Sequence, residues 1–248
     1  MKKLIAIILV NLLTTIRIIG VFCLLPIYLK YGGTSAALLS IGCYLTDLID
    51  GTLARKCHVA TFFGSGFDGL ADKLFSCANL VVLFTITKYA IIPILFELTI
   101  IIIQYIKFEK NINVKSSFVG KAKTWVISLT VITLYLLIDI DSLTFLPNSF
   151  ISYINSIDKM TLYGVVFIPL YIFEILTVYS YLKFLEKYDP KDDIVIPEID
   201  LKLKPATSLR NRFDNFCAFW LNNEFYEKYK DADGLKKIRK IIKESKPK

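Results

Sequence analysis

The chain is poor in the residues that build the commoner metal and redox sites. It has one histidine, His58, and five cysteines among 248 residues. No Cys-x-x-Cys occurs, and Cys57-His58 is the only neighbouring Cys/His pair, with no second half to complete a zinc site. The cysteine number is odd, and four of the five lie in or beside apolar stretches. Cys23, Cys43, Cys57, Cys77 and Cys217 are therefore read as reduced packing residues, and His58 as an interfacial loop residue. There is no internal repeat and no low-complexity tract. Acids are the minority charge, 22 against 30 Lys and Arg, giving a formal charge of +8 and a pI near 9.1. The basic residues are spread over loops and a tail. That distribution disfavours nucleic acid and fits anionic membrane lipids and phosphate-bearing substrates.

What the chain has in abundance is apolar length. It is 54% hydrophobic, with a mean hydropathy of +0.53, which excludes a soluble globule. The first apolar run, 4–29, contains Arg17 and has no small-residue cleavage pattern, so it is read as a membrane helix and not as a leader. As a straight helix it is about 39 Å long, against a hydrocarbon core of about 30 Å. Asn11, Thr14 and Arg17 recur every three residues and give it a polar edge. Arg17 either walls a site of acids or phosphates, or snorkels to the headgroups.

Five further apolar segments follow at about 35–55, 64–87, 90–108, 125–138 and 161–185, the first of them after a Tyr31-Gly32-Gly33-Thr34 turn. Lys and Arg collect at the N-terminus, in loops 55–64 and 107–123, and after 185. The opposite side has only Lys30, Lys88 and Lys159. Six spans with both termini cytoplasmic satisfy the positive-inside rule. The expected fold is all-α: a polytopic bundle of six transmembrane helices over 1–188, an extended proline-bearing linker over 189–206, and a basic amphipathic cytoplasmic tail over 207–248. In that tail Phe213, Phe216, Cys217, Trp220 and Leu221 recur at helical spacing, and a second basic amphipathic stretch covers 235–242. These helices either lie on an anionic leaflet or pack on the bundle.

The stretch 47–72 carries the chemistry. Asp47 and Asp50 are spaced i,i+3 and Asp68 and Asp72 i,i+4, so each pair shares one helix face. Acids among apolar helices need partners. For four that converge at one membrane face, one or two hard divalent cations are the simplest. Gly51 and Ala54 clear a face beside the first pair, Gly64 repeats the arrangement before Asp68, and Arg55 can meet a phosphate. The plain alternative is ordinary helix-end acids neutralised by nearby Lys or Arg.

The order Asp47-x2-Asp50-Gly51-x2-Ala54-Arg55-x8-Gly64-x3-Asp68-x3-Asp72 resembles the signature of the CDP-alcohol phosphotransferases at all eight fixed positions. Asn11, Thr14 and Arg17 on the first helix, Gly120-Lys121-Ala122-Lys123-Thr124, and the end of the last helix look like phosphatidylglycerophosphate synthases within that family. Phe96 and Gln104 stand where those synthases carry arginines around Glu97. Glu97 is open to reading as a partner of Arg17, as a partner of a lysine, or as a substrate contact. The resemblance covers about three quarters of the chain and leaves out the tail.

What the resemblance implies is transfer of a phosphatidyl group from CDP-diacylglycerol to a polar alcohol, with release of CMP. Asp47, Asp50, Asp68 and Asp72 would be ligands to Mg2+ or Mn2+, two ions in all, and Asp72 also the general base. Gly51, Ala54, Arg55 and Gly64 would form the nucleotide pocket. Thr14, Arg17, Lys115, Lys121 and Lys123 would wall the site and hold an anionic acceptor. Glycerol 3-phosphate is the acceptor that the helix matches favour. Inositol phosphate, phosphatidylglycerol or another alcohol are the rivals, and a homodimer is expected. From other classes, a divalent-cation transporter would spread its acids across the membrane, and a non-catalytic relative would bind the CDP-lipid without releasing CMP.

Overall fold

The computed structural model describes residues 2–110, 118–186, 204 and 207–230. Lys115, the linker and the basic stretch 235–242 lie outside the described residues. Among the described residues there are eight α-helices and no strand: α1 (Lys2–Lys56), α2 (Phe62–Phe84), α3 (Ile91–Glu109), α4 (Phe118–Ile138), α5 (Asn148–Ser156), α6 (Lys159–Glu186), α7 (Leu209–Trp220) and α8 (Asn223–Tyr229). Four helical stretches, Ala6–Lys56, Lys88–Glu109, Phe118–Ile138 and Lys159–Glu186, are long and apolar enough to cross a membrane. The sequence reading counted six spans. The first stretch contains two of its segments. α2 is as long as a span but carries Asp68, Asp72 and Lys73, which lower its apolar character.

α1 is not one rod. At Gly32 the backbone leaves the helix (φ 83°, ψ −173°), a conformation that costs any residue with a Cβ about 1–3 kcal/mol. The break folds the two arms against each other as a hairpin. Arg17 and Asp47, which touch, lie at equal sequence distance from Gly32, as do Thr14 and Asp50. Asp139, after α4, seals the corner. Its Oδ2 accepts from the Thr34 amide at 2.9 Å, so it caps the second arm. A Cβ at position 32 would lie 2.4 Å from that same oxygen. Gly32→Ala is expected to destabilise the protein by about 2–3 kcal/mol through backbone strain and loss of the cap. A fall in the detergent-solubilised Tm larger than that of Asp139→Ala is the check.

The two arms pack on α2 and α4, α4 packs on α6, and α6 carries α3. The core lies at the Gly32 end of this bundle, where Leu24, Ala36, Leu80, Leu83, Leu134, Tyr135 and Phe167 are buried. A buried polar contact joins arm and helix there: Ser40 Oγ donates to Asn79 Oδ1 at 2.9 Å, and Asn79 Nδ2 donates to the Phe75 carbonyl. Outward faces are apolar along their length, with Ile8, Leu12, Ile19, Phe22 and Leu29 on α1 and Ile168, Ile172 and Ile175 on α6 exposed. Such continuous apolar surface suits lipid. Apart from the broken first stretch, helix bounds follow the hydropathy segments within a few residues. One exception is α4, which starts at Phe118 and so takes in Gly120, Lys121 and Lys123. The other is the 139–160 connection, which holds a 3-10 turn and α5.

α7 and α8 are docked on the bundle. Ser208 and Asn222 cap them, accepting from the amides of Asn211 and Phe225. Phe62, the first residue of α2, stacks on Phe219 (centroids 5.4 Å apart, interplanar angle 5°) and meets Phe225 and Tyr226 edge-on. Asn223 Nδ2 donates to the Ala60 carbonyl at 2.7 Å. Of the two placements open to the tail, these residues take packing on the bundle.

Candidate active site

The four aspartates come together because each pair ends or begins a helix at one end of the bundle. Asp47 and Asp50 lie in the last turns of α1. The chain turns through 57–61, with His58 in a positive-φ position (51°), and α2 starts behind the Thr61 cap. Thr61 Oγ1 accepts from the Gly64 amide at 3.0 Å. A Cβ at Gly64 would sit 3.2 Å from that hydroxyl and press on the cap, which gives this small residue a local reason. Asp68 and Asp72 follow in the next two turns.

Arg17 is the hub. It is 1% exposed, and its guanidinium meets all four acids. Nη2 lies 3.0 Å from Asp47 Oδ1 and 2.9 Å from Asp50 Oδ2. Nη1 lies 2.9 Å from Asp68 Oδ1 and 2.5 Å from Asp72 Oδ1. One prong of the fork serves α1 and the other α2, a division that the planar guanidinium allows and an ammonium does not. Thr14, one turn earlier, donates to the Val10 carbonyl at 3.2 Å and lies 3.4 Å from Asp50 Oδ2. Arg17 thus walls the acids and does not snorkel to the headgroups.

One guanidinium leaves three of the four negative charges uncompensated. Oxygens of Asp47, Asp50 and Asp68 fall within 4.8 Å of one another. At that separation, each like-charged pair costs about 3 kcal/mol at an effective dielectric constant of 20. Asp50 Oδ1 is buried without a hydrogen-bond partner among the described residues. An all-oxygen, strongly negative cluster with an unsatisfied buried oxygen fits a hard divalent cation such as Mg2+ or Mn2+. Asp47, Asp50 and Asp68 are the residues that would hold it. Asp72, expected as a fourth ligand, is outside this three-acid group and rests on Arg17.

A cleft of about 680 Å³, including its open mouth, is lined in part by Asp50 and Asp68. Gly51, Ala54, Arg55 and Gly64 line it, so the positions read as a nucleotide pocket share one cavity. Asn11, Val59, Ala60, Thr61 and Tyr226 are also among its lining residues. Thr14, Arg17, Asp47, Asp72, Lys121 and Lys123 are not among them.

A second polar cluster lies deeper between α2, α3, α4 and α6. Lys123 is buried and ion-paired with Glu97, and its Nζ is 3.9 Å from Glu174 Oε2. Lys73, next to Asp72, donates to Gln104. Glu97 is therefore a lysine's partner, one of the readings left open for it. Lys121 is exposed at the start of α4. Sequence reasoning gave no role to Lys73, Glu174 or Tyr226. Glu174 had a signal, as the one acid in the long apolar core of α6. Tyr226 had none, since nothing in the pattern of the tail says what it faces.

Residues 7–168 match the CDP-alcohol phosphatidyltransferase family, and the chain belongs to that family. It is accordingly a membrane transferase of phosphatidyl groups. Among its relatives, a CDP-diacylglycerol--glycerol-3-phosphate 3-phosphatidyltransferase of Wigglesworthia glossinidia brevipalpis is 31% identical over 159 residues, 58% of this chain and 87% of the relative. One of the same description from Aquifex aeolicus (strain VF5) is 29% identical over 146 residues, 56% of this chain and 82% of the relative.

Proposed function

We propose that the protein transfers a phosphatidyl group from CDP-diacylglycerol to a small phosphorylated alcohol, glycerol 3-phosphate, with Mg2+ or Mn2+ bound at the aspartates. The observation that carries this reading is the convergence of Asp47, Asp50 and Asp68, two of which, Asp50 and Asp68, line a cleft together with Gly51, Ala54, Arg55 and Gly64. In the overall reaction the acceptor hydroxyl oxygen forms a bond to the donor phosphorus that carries the diacylglycerol. The bond from that phosphorus to the bridging oxygen breaks, CMP leaves, and the hydroxyl proton is removed. Two divalent ions would supply charge neutralisation for the pyrophosphate. The small faces at Gly51 and Ala54 admit the nucleotide to the backbone, and Arg55 meets its phosphate. Asp72 takes the hydroxyl proton, positioned by Arg17. The acceptor phosphate comes in past the basic start of α4, where Lys121, with Lys115 upstream, supplies positive charge, and Lys123 is oriented by Glu97.

In this reading the two arms of α1, α2, α3, α4 and α6 are six crossings, and the aspartates and both termini face the cytoplasm, in line with the Lys and Arg distribution. The protein works as a homodimer through its apolar outer faces. CMP release from CDP-diacylglycerol, measured with purified protein against glycerol 3-phosphate, inositol phosphate, inositol, serine and phosphatidylglycerol, is the test. Release is expected with glycerol 3-phosphate and a divalent ion, and to be lost in chelator. Release with a different acceptor alone corrects the acceptor, and release with none overturns the reading.

A further inference from the structure

The tail is not covered by the family match, which ends at residue 168, yet it contributes to the cleft. Tyr226 of α8 is one of its lining residues, together with Asp50, Asp68 and Arg55. The placement is fixed twice over. Asn223, one turn earlier in α8, is bonded to the Ala60 carbonyl at 2.7 Å, and the Tyr226 ring stands edge-on to Phe62 with centroids 5.1 Å apart. Both anchors lie on the loop and helix start that carry the cleft's own Thr61 and Gly64. Phe219 and Phe225 close the packing behind them, buried to 3% and 5% exposure. The half-buried tyrosine is therefore part of a wall, and it does not simply lie on the surface.

Two parts of the cleft's lining differ in chemistry. Asp50 and Asp68 give it a carboxylate part that takes cations and phosphate. Tyr226, held at Ala60 and Phe62 two turns before Asp68, offers an aromatic ring to a part that also takes in Val59 and Ala60 and suits a flat, partly apolar group. We propose that Tyr226 is a donor-recognition residue: its ring packs on the nucleobase of the CDP-linked substrate while the aspartate part holds the pyrophosphate. This rests on the donor assigned under Proposed function. It makes the tail a functional part of the nucleotide site, supplied by a segment outside the family match.

The test uses the full-length protein in detergent with Mg2+, comparing wild type with Tyr226→Leu, which keeps bulk without a ring, and Tyr226→Phe, which keeps the ring. Base–aromatic packing of this kind is worth about tenfold in affinity. Tyr226→Leu is expected to weaken CMP binding by about tenfold and to raise the CDP-diacylglycerol KM by a similar factor. kcat, the acceptor KM and the binding of inorganic pyrophosphate, which has no base, should stay within about twofold. Tyr226→Phe should behave as wild type. CMP binding unchanged in Tyr226→Leu overturns the proposal. So does an equal loss of pyrophosphate binding, which would make the ring a prop for the loop. Wild-type protein that neither binds CMP nor releases it overturns the parent reading as well, so the two failures are separable.

Discussion

Asp68→Asn is expected to lower CMP release at least 1,000-fold while leaving the protein as stable in chelator as the wild type. The two halves of this result have one cause. Asp47, Asp50 and Asp68 carry more negative charge than Arg17 balances. On the proposed function, the amide removes an oxygen ligand of the ion, at the point where charge develops in the reaction. It also removes one of four like charges, and with each pair worth about 3 kcal/mol at these separations, the relief offsets the lost contact to Arg17. Turnover by radiolabelled CMP release, set beside Tm in EDTA and in Mg2+, measures both. The wild type should gain Tm on adding Mg2+, because a ligand that binds only the folded state stabilises it by mass action, and Asp68→Asn should gain much less. A variant that turns over at the wild-type rate would remove Asp68 from the metal site.

Arg17→Gln is the second large effect, and its size depends on the ion. Without Arg17 four carboxylates face one another with no cation of the protein's own. Breaking a buried ion pair by removing one partner costs about 3–5 kcal/mol, and Arg17 meets four. In chelator the variant should lose Tm heavily or fail to fold. In millimolar Mg2+ much of the loss should return, because the ion supplies the missing charge. Equal loss of Tm with and without the ion would mean that Arg17 acts by shape alone. Arg17→Lys should fall between the two, since a single ammonium cannot present two parallel prongs to α1 and α2.

These effects were partly legible in the chain alone. Spacing placed Asp47 with Asp50 and Asp68 with Asp72, because a helix fixes which residues share a face. The polar edge through Thr14 and Arg17 pointed at the acids for the same reason. The Gly32-Gly33 turn was visible too, because a glycine pair between apolar runs has few other uses. Partners across helices were not legible. Glu97 could have met Arg17 or any of several lysines, and only packing chooses Lys123. The face read on α7, Phe213 with Phe216, Cys217, Trp220 and Leu221, is not the one that packs: Phe213, Phe216 and Leu221 stay exposed, while Asn215 and Phe219 are buried and Phe219 stacks on Phe62. Periodicity finds an apolar stripe but does not name the surface that selects the buried side, and Phe62 sits in what hydropathy treats as a loop. α4 begins seven residues before its apolar segment because Lys121 and Lys123 mask a helical start when only hydrophobicity is counted.

The hub has a consequence for how the chain is made. Synthesis runs from the N-terminus, so Arg17 is laid down before any of the four aspartates it will meet. When the second arm folds back at Gly32, Asp47 and Asp50 arrive at a cation already in place, and α2 then brings Asp68 and Asp72 to the other prong. Each acid pair thus enters the bilayer region with a neighbour to receive it. A chain begun beyond residue 32 would insert four acids without Arg17, and on the proposed function its assembly would lean on the divalent ion from the first helix pair onward.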